Sequence, residues 1–255
     1  MNTLNDKQVE EVLGLMKHSD SVELKLTVVD SAIRSTADAL SMDPLQAEIR
    51  QVVFFDTPEL TLSKAGLVVR ARRIQGGGGD TVIKLRPVNP ETLSPEVRQA
   101  ASVKVEVDAM PQGYVCSASM KGKTTADDVR AVVLGKMKTR DLFTKEQRAF
   151  YKANAPDGLK LSQLSVLGPI NLLKLEFTPD GVKRKFVAEL WMYPDGSRIL
   201  ELSTKATPQD AFHVAAETRD YLKKKGLDLT AEQQPKTNRA LEHFTEQLKQ
   251  IRARN

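Results

Sequence analysis

Charged side chains recur in this sequence at even spacings of two or four. Glu23 and Lys25 form one such pair; Arg70 with Arg72 and Lys84 with Arg86 form two more. Lys104, Glu106 and Asp108 extend the pattern, as do Lys174 with Glu176, Lys185 with Glu189, and Glu201 with Lys205. In an extended strand successive side chains point to opposite faces, so each set projects to one side of a sheet. Arginine and lysine hold phosphate oxygens, as bidentate forks or as point charges. Clustered carboxylates hold Mg²⁺ or Mn²⁺, which prefer oxygen ligands and bridge to phosphates. Two arrangements accommodate the spacing. One is an antiparallel sheet with a wetted face. The other closes the sheet with its charged face inward, giving a polar tunnel whose apolar outer face is covered by helices. Solvated faces usually carry many Ser, Thr and Gln; here basic pairs alternate with strands richer in carboxylates, which is the pattern a tunnel needs.

Other chemistries have little support. The single cysteine, Cys116, excludes an internal disulfide and a multi-cysteine zinc site. Of the three histidines, His213 and His243 fall in predicted helices, as surface or packed residues. The four glycines Gly76–Gly79 join two predicted strands and are not followed by Gly-Lys-Ser/Thr, so they form a hairpin loop and not a phosphate loop. The stretches Lys121–Lys123 and Lys223–Lys225 read as solvated helix or loop surface. Aromatic residues make up 5%, too few for the stacking platform of a nucleic-acid site. Trp191 reads as core, with a tunnel lid as the alternative.

The elements that position these residues follow from periodicity. The chain has 255 residues, net charge +5 and 40% hydrophobic residues, the composition of a globular protein large enough to bury a core without staples. Residues 6–17 carry helical spacing and 21–28 alternate as a strand. A helix over 31–47 breaks near Pro44. Strands are expected at 51–56, 66–73, 81–87 and 102–109. Residues 124–153 change character and predict two helices inserted between the fifth and sixth strands. Strands resume at 171–178, 182–193 and 197–204, joined by Pro-Asp-Gly turns into a meander. Helices close the chain at 207–225, capped by Thr207, and at 238–251. The expectation is one domain, 1–255, of α+β class. No secretory signal and no run of about 20 apolar residues is visible, which predicts a cytoplasmic protein without a membrane partner.

The segment VVFFDTPELTLSKAGLVVRAR (52–72) resembles the CYTH superfamily, the triphosphate tunnel metalloenzymes. These include class IV adenylyl cyclases, thiamine triphosphatases and tripolyphosphatases. TVIKLRP (81–87), VKVEVDA (103–109), ILELSTK (199–205) and KTNRAL (236–241) continue the likeness in the family's order. The resemblance implies a closed eight-stranded antiparallel β tunnel, flanked by helices, that binds a triphosphate and Mg²⁺ or Mn²⁺. By the same resemblance Glu23, Glu189 and Glu201 would be metal ligands. Arg70, Arg72, Lys84, Arg86, Lys174, Lys185, Lys236 and Arg239 would hold phosphates. Lys25 would act beside the substrate, and Glu106 would orient a basic group or a metal-bound water. The chain departs from the pattern where Ser21 and Ser203 replace carboxylates and Glu176 replaces an arginine. The implied activity is a metal-dependent phosphohydrolase acting on tripolyphosphate or on a nucleoside or thiamine triphosphate. A class IV cyclase, or a non-catalytic binder of polyphosphate or nucleotide with a degraded metal site, are the alternatives; a homodimer is left open.

Overall fold

The computed structural model of the chain describes residues 6–230, 237, 239–241 and 243–246. In chain order it contains α1 (Asp6–Lys17), β1 (Ser21–Val28), α2 (Ile33–Ala39), β2 (Glu48–Asp56), α3 (Thr61–Lys64), β3 (Leu67–Ile74) and β4 (Gly79–Leu85). There follow α4 (Pro95–Gln99), β5 (Val103–Met110), β6 (Gly113–Thr124), α5 (Ala126–Val133), α6 (Lys145–Asn154), β7 (Ser165–Phe177), β8 (Phe186–Met192), β9 (Arg198–Ala206) and α7 (Ala211–Lys224). The strands close into a barrel in the order β1-β5-β6-β4-β3-β2-β7-β8-β9, with β9 returning to β1.

Among the described residues nine strands form the barrel, not the eight antiparallel ones expected. The additional strand is β6, over which the sequence shows small residues, Cys116, Ser117, Ala118 and Ser119, in place of large apolar ones. Its alternation is intact, since Ser117 and Ser119 share one face and Cys116, Ala118 and Met120 the other, but without bulk it gives no periodic hydrophobic signal. A ring with an odd number of strands cannot alternate direction all the way round. One neighbouring pair must run parallel, and it is β1 with β5, in which Ser21 faces Glu106 and Glu23 faces Asp108. The helices α5 and α6 accordingly lie between the sixth and seventh strands. The helix expected from Thr207 begins at Ala211; Thr207 and Asp210 exchange hydrogen bonds that close the turn ahead of it. Residues 237, 239–241 and 243–246 are helical; the remainder of the helix expected at 238–251, and Lys236, lie outside the described residues.

The outward face of the barrel is apolar and is covered piecewise. Val129 and Val132 of α5 and Phe150 and Tyr151 of α6 pack on Val53, Phe55, Val69 and Ile83. Val12 and Met16 of α1 and Val214 of α7 cover Val22, Val105 and Val107. Leu222 of α7 and Leu40 cover Leu26, Phe186 and Leu200. A fourth cluster lies on the inward face. Val52 pairs with Arg72 and Ile170, Leu172 with Trp191, and Trp191 with Ile199, so these side chains share a face with Arg72. They fill one end of the barrel together with Ala240, Leu241 and Phe244. Trp191 is therefore core, within the barrel.

Two buried polar side chains hold elements in place. Asp56, in the run that carries the family resemblance, accepts the backbone N–H groups of Thr57, Leu62 and Ser63 at 2.7, 2.9 and 2.9 Å. It fixes the short α3, whose preceding residue Leu60 sits in the left-handed region at φ 57°. Gln147 of α6 is fully buried. It accepts from Thr81 Oγ1 at 2.8 Å and donates to the carbonyls of Thr81 and Met120 at 3.2 and 3.1 Å. Gly122 makes room for it, because a Cβ there would lie 2.4 Å from Gln147 Oε1. Truncation, Gln147→Ala, leaves buried carbonyls unpaired, so about 3 kcal/mol of stability should be lost. Chemical denaturation would measure this, and an unchanged midpoint would contradict the pinning role.

Candidate functional site

The inward faces of the strands enclose a cavity of about 970 Å³. Eleven lysines and arginines line it against five glutamates. Eleven of the thirteen site residues expected from the sequence are in this lining: Glu23, Lys25, Arg70, Arg72, Lys84, Arg86, Glu106, Lys174, Lys185, Glu189 and Glu201. Arg239 is not. Its guanidinium lies 5.2 Å from the centroid of the Tyr193 ring and 3.8 Å from Asp195. Arg50, Lys121, Arg184 and Lys205 join the lining without having been expected as site residues. Lys121 was missed because β6 was missed; the stretch Lys121–Lys123, which read as solvated helix or loop surface, is the end of that strand, with Lys121 facing the cavity.

Asp108 organises the basic side of the cavity. Its carboxylate is fully buried and meets Lys25 at 2.9 Å, Arg86 at 3.1 Å and Lys84 at 3.7 Å. Burial alone would raise its pKa, but Lys25, Lys84 and Arg86 outweigh burial and bring it down to about 2. Lys25 also meets Glu23 at 3.0 Å. Burial would lower the Lys25 pKa, yet Glu201, Glu23 and Asp108 together raise it, so this ammonium keeps its proton. Asp108 shares a face with Glu106 in the sequence, but nothing there marks it as the hub. That status comes from the register that sets β5 beside β1.

The other charges divide into engaged and unengaged groups. Arg72 is held by Asp80, with Nη2 2.9 Å from Oδ2. Glu106 accepts from Ser21 Oγ at 3.2 Å and pairs with Lys205. Burial opposes ionisation of Glu106, but Lys205 prevails and lowers its pKa. Glu176 pairs with Lys174 and lies 3.4 Å from Lys185. By contrast, no carboxylate among the described residues forms an ion pair with Arg70 or Lys121. Burial, then the neighbouring Arg72, lowers Arg70 to about 10. Burial lowers Lys121 as well. Lys84, whose single carboxylate contact is long, is pushed down to about 8 by burial despite Asp108. Cations under such penalties gain most from an incoming anion.

The three carboxylates expected to bind a metal do not form one donor set. Among the described residues no group of three or more His, Cys, Asp or Glu side chains is placed to hold a metal ion. Glu23 is committed to Lys25. Glu189 and Glu201 are direct cross-strand partners on β8 and β9, and Trp191 Nε1 donates to Glu189 at 3.2 Å. Two adjacent carboxylates suit a hard cation that draws its remaining ligands from water and phosphate.

No family model matches the chain, and no curated protein matches it in sequence. Solved structures share its fold. A candidate adenylate cyclase from Bacillus halodurans is 13% identical, with a TM-score of 0.59 over 86% of this chain and 97% of the other. A candidate adenylyl cyclase from Hippeastrum, described as having a dominant triphosphatase activity, is 16% identical, with a TM-score of 0.61 over 83% and 91%. The closed, helix-flanked barrel of the chain is similar in fold to these structures. No helix among the described residues is long and apolar enough to cross a membrane.

Asp108 carries a testable consequence. Its folded pKa lies below the ordinary carboxyl value of 3.8, so its stabilisation is present above about pH 4 and is lost as pH falls towards 2. The shift corresponds to about 2 kcal/mol. The substitution Asp108→Asn should cost about 3 kcal/mol at neutral pH, because three cations lose their shared partner. It should also flatten the stability curve between pH 4 and 2 relative to the unsubstituted protein. Urea melts across that range would read both, and parallel curves would contradict the assignment.

Proposed function

We propose that the cavity binds a linear triphosphate, either inorganic tripolyphosphate or the triphosphate of a nucleoside or of thiamine, and that the protein hydrolyses it as a cytoplasmic, divalent-metal-dependent phosphohydrolase. The observation that carries this reading is the enclosed excess of cations, eleven against five glutamates. Arg70, Lys84 and Lys121 stand on the adjacent strands β3, β4 and β6, where Arg70 faces Val82 and Val82 faces Lys121. They are the least neutralised cations of the lining and form the anchoring wall. Arg86 and Arg72, held by Asp108 and Asp80, add fixed positive charge beside it.

Phosphoryl transfer asks the protein chiefly for positioning and for stabilisation of charge spread over the transferred group. Lys25, kept protonated by its carboxylate neighbours, serves as fixed positive charge and not as a proton acceptor. Glu106, tied to Lys205 and Ser21, sets the orientation of Lys205 in the lining. Glu189 and Glu201 would hold Mg²⁺ or Mn²⁺, which would neutralise phosphate charge and polarise the phosphorus–oxygen bond. The likeness in fold to a protein described as a triphosphatase supports a hydrolase; a cyclase would use the same residues with a ribose hydroxyl as nucleophile. The commitment of Glu23 to Lys25 favours a second reading, an anion-binding tunnel without turnover.

Release of phosphate and pyrophosphate from tripolyphosphate, ATP and thiamine triphosphate, with Mg²⁺, Mn²⁺ or EDTA, separates these readings. Metal-dependent turnover should fall at least about 10-fold in Arg70→Ala and in Lys121→Met, the loss of one charge-assisted contact each. It should collapse in Glu201→Gln. Binding that survives EDTA and needs Arg70, without turnover, would select the second reading. The absence of both would end the proposal.

A pH dependence follows from Lys84. An anion binds more tightly when Lys84 is charged, so affinity for tripolyphosphate should decline as pH rises through about 8. Lys84→Arg, which stays charged, should remove that component. Calorimetric titrations at pH 7, 8 and 9 on both proteins would isolate it, since protonation of the ligand itself is common to the two. Identical pH profiles would rule out a role for Lys84.

A further inference from the structure

Seven carboxylates hold cations of the cavity: Asp108, Asp80, Glu106, Glu176, Glu23, Glu48 and Glu217. They differ in how firmly they are seated. Asp108 has no exposed side-chain surface and sits among three cations. Glu176 is far more open, with its side chain 46% exposed. One of its oxygens pairs with Lys174 on β7 and the other lies 3.4 Å from Lys185, whose side chain is 68% exposed. All three residues belong to the cavity lining. Exposed ion pairs are weak and exchange readily, whereas a buried carboxylate among cations is costly to remove.

We infer that Glu176 is a specificity-determining residue, a built-in competitor that occupies Lys174 and Lys185 and so limits the length of the phosphate chain the cavity accepts with full affinity. The inference rests on the proposed anion-binding role of the cavity and adds to it. A short chain seats on Arg70, Lys84 and Lys121 across β3, β4 and β6, leaving the Glu176 cluster on β7 and the following loop undisturbed. A longer chain gains Lys174 and Lys185 only by displacing the Glu176 carboxylate, which then faces the ligand as a like charge. Each added phosphate should therefore contribute little once the first wall is filled. Without the carboxylate the two lysines become a second anchoring station.

The test is a chain-length series. Affinities of linear tripolyphosphate, tetrapolyphosphate and a polyphosphate of about 15 units would be measured by calorimetry in EDTA, so that binding is read apart from turnover. The unsubstituted protein should show nearly the same affinity per chain across the series. Glu176→Gln, nearly isosteric and at an exposed position, should leave tripolyphosphate affinity within about twofold while raising that of the longest chain at least about fivefold, a gain that shrinks at high salt. Glu176→Asp, which keeps the charge, should resemble the unsubstituted protein. Glu146→Gln, on α6 outside the barrel, removes the same charge from the molecule and should change nothing. If all chains gain equally in Glu176→Gln, or none does, while the unsubstituted protein binds tripolyphosphate, the inference fails and the proposed function stands. If neither protein binds any chain, in EDTA or with Mg²⁺ present, the proposed function fails and takes the inference with it.

Discussion

Asp108 is the constraint around which the cavity is built. A carboxylate with no contact to water survives in a protein only if cations reach it, and here three do, from β1 and from the β4 edge. The same contact works in the other direction. Lys25, Lys84 and Arg86 would repel one another across a confined space, and the shared anion holds them in one arrangement before any ligand arrives. Preorganised charge of this kind is what binding and stabilising a phosphate chain requires, because little reorganisation remains to be done when the ligand enters.

That arrangement depends on how the barrel closes. Asp108 comes beside Glu23 because β1 and β5 run parallel, and they run parallel because nine strands cannot alternate around a ring. Covering the outer face is a separate task, shared by α1, α2, α5, α6 and α7. Gln147, filling the space left by Gly122, links α6 to the carbonyls of Thr81 and Met120. The inner face is polar along much of its length and apolar at one end, where Trp191, Phe54 and Phe244 meet. One chain thus keeps a hydrophobic core outside its barrel, a second within one end, and a charged chamber between.

Within the chamber, the engaged and unengaged cations have different duties. Those held by carboxylates form a fixed frame. Arg70 and Lys121, and Lys84 with only its 3.7 Å contact to Asp108, carry charges made less favourable by burial and hold the unspent attraction that an anion would satisfy. The departures from the pattern implied by the motif resemblance, Ser21, Glu176 and Ser203, lie on β1, β7 and β9. Ser21 bonds to Glu106, and Glu176 binds two lysines, so these positions are integrated into the charge network instead of being left vacant.

The sequence by itself determined the class of the fold and the composition of its chamber. Strict period-two alternation, with charge on one side and aliphatic residues on the other, is imposed by backbone geometry and can be read without a structure. Of the eleven expected site residues that line the cavity, nine stand on strands and are turned inward for that reason, while Arg86 and Lys185 lie just beyond strand ends. Tertiary structure alone decided the rest. It supplied the ninth strand, whose Ser and Ala residues carry no hydrophobic signal, and with it the inward placing of Lys121. It set Arg239 against Tyr193 and Asp195, outside the set of residues that line the chamber. It also chose which carboxylate meets which cation. Alternation says only which face a side chain occupies, while pairing across strands far apart in the chain depends on register, shear and closure, which no local pattern encodes.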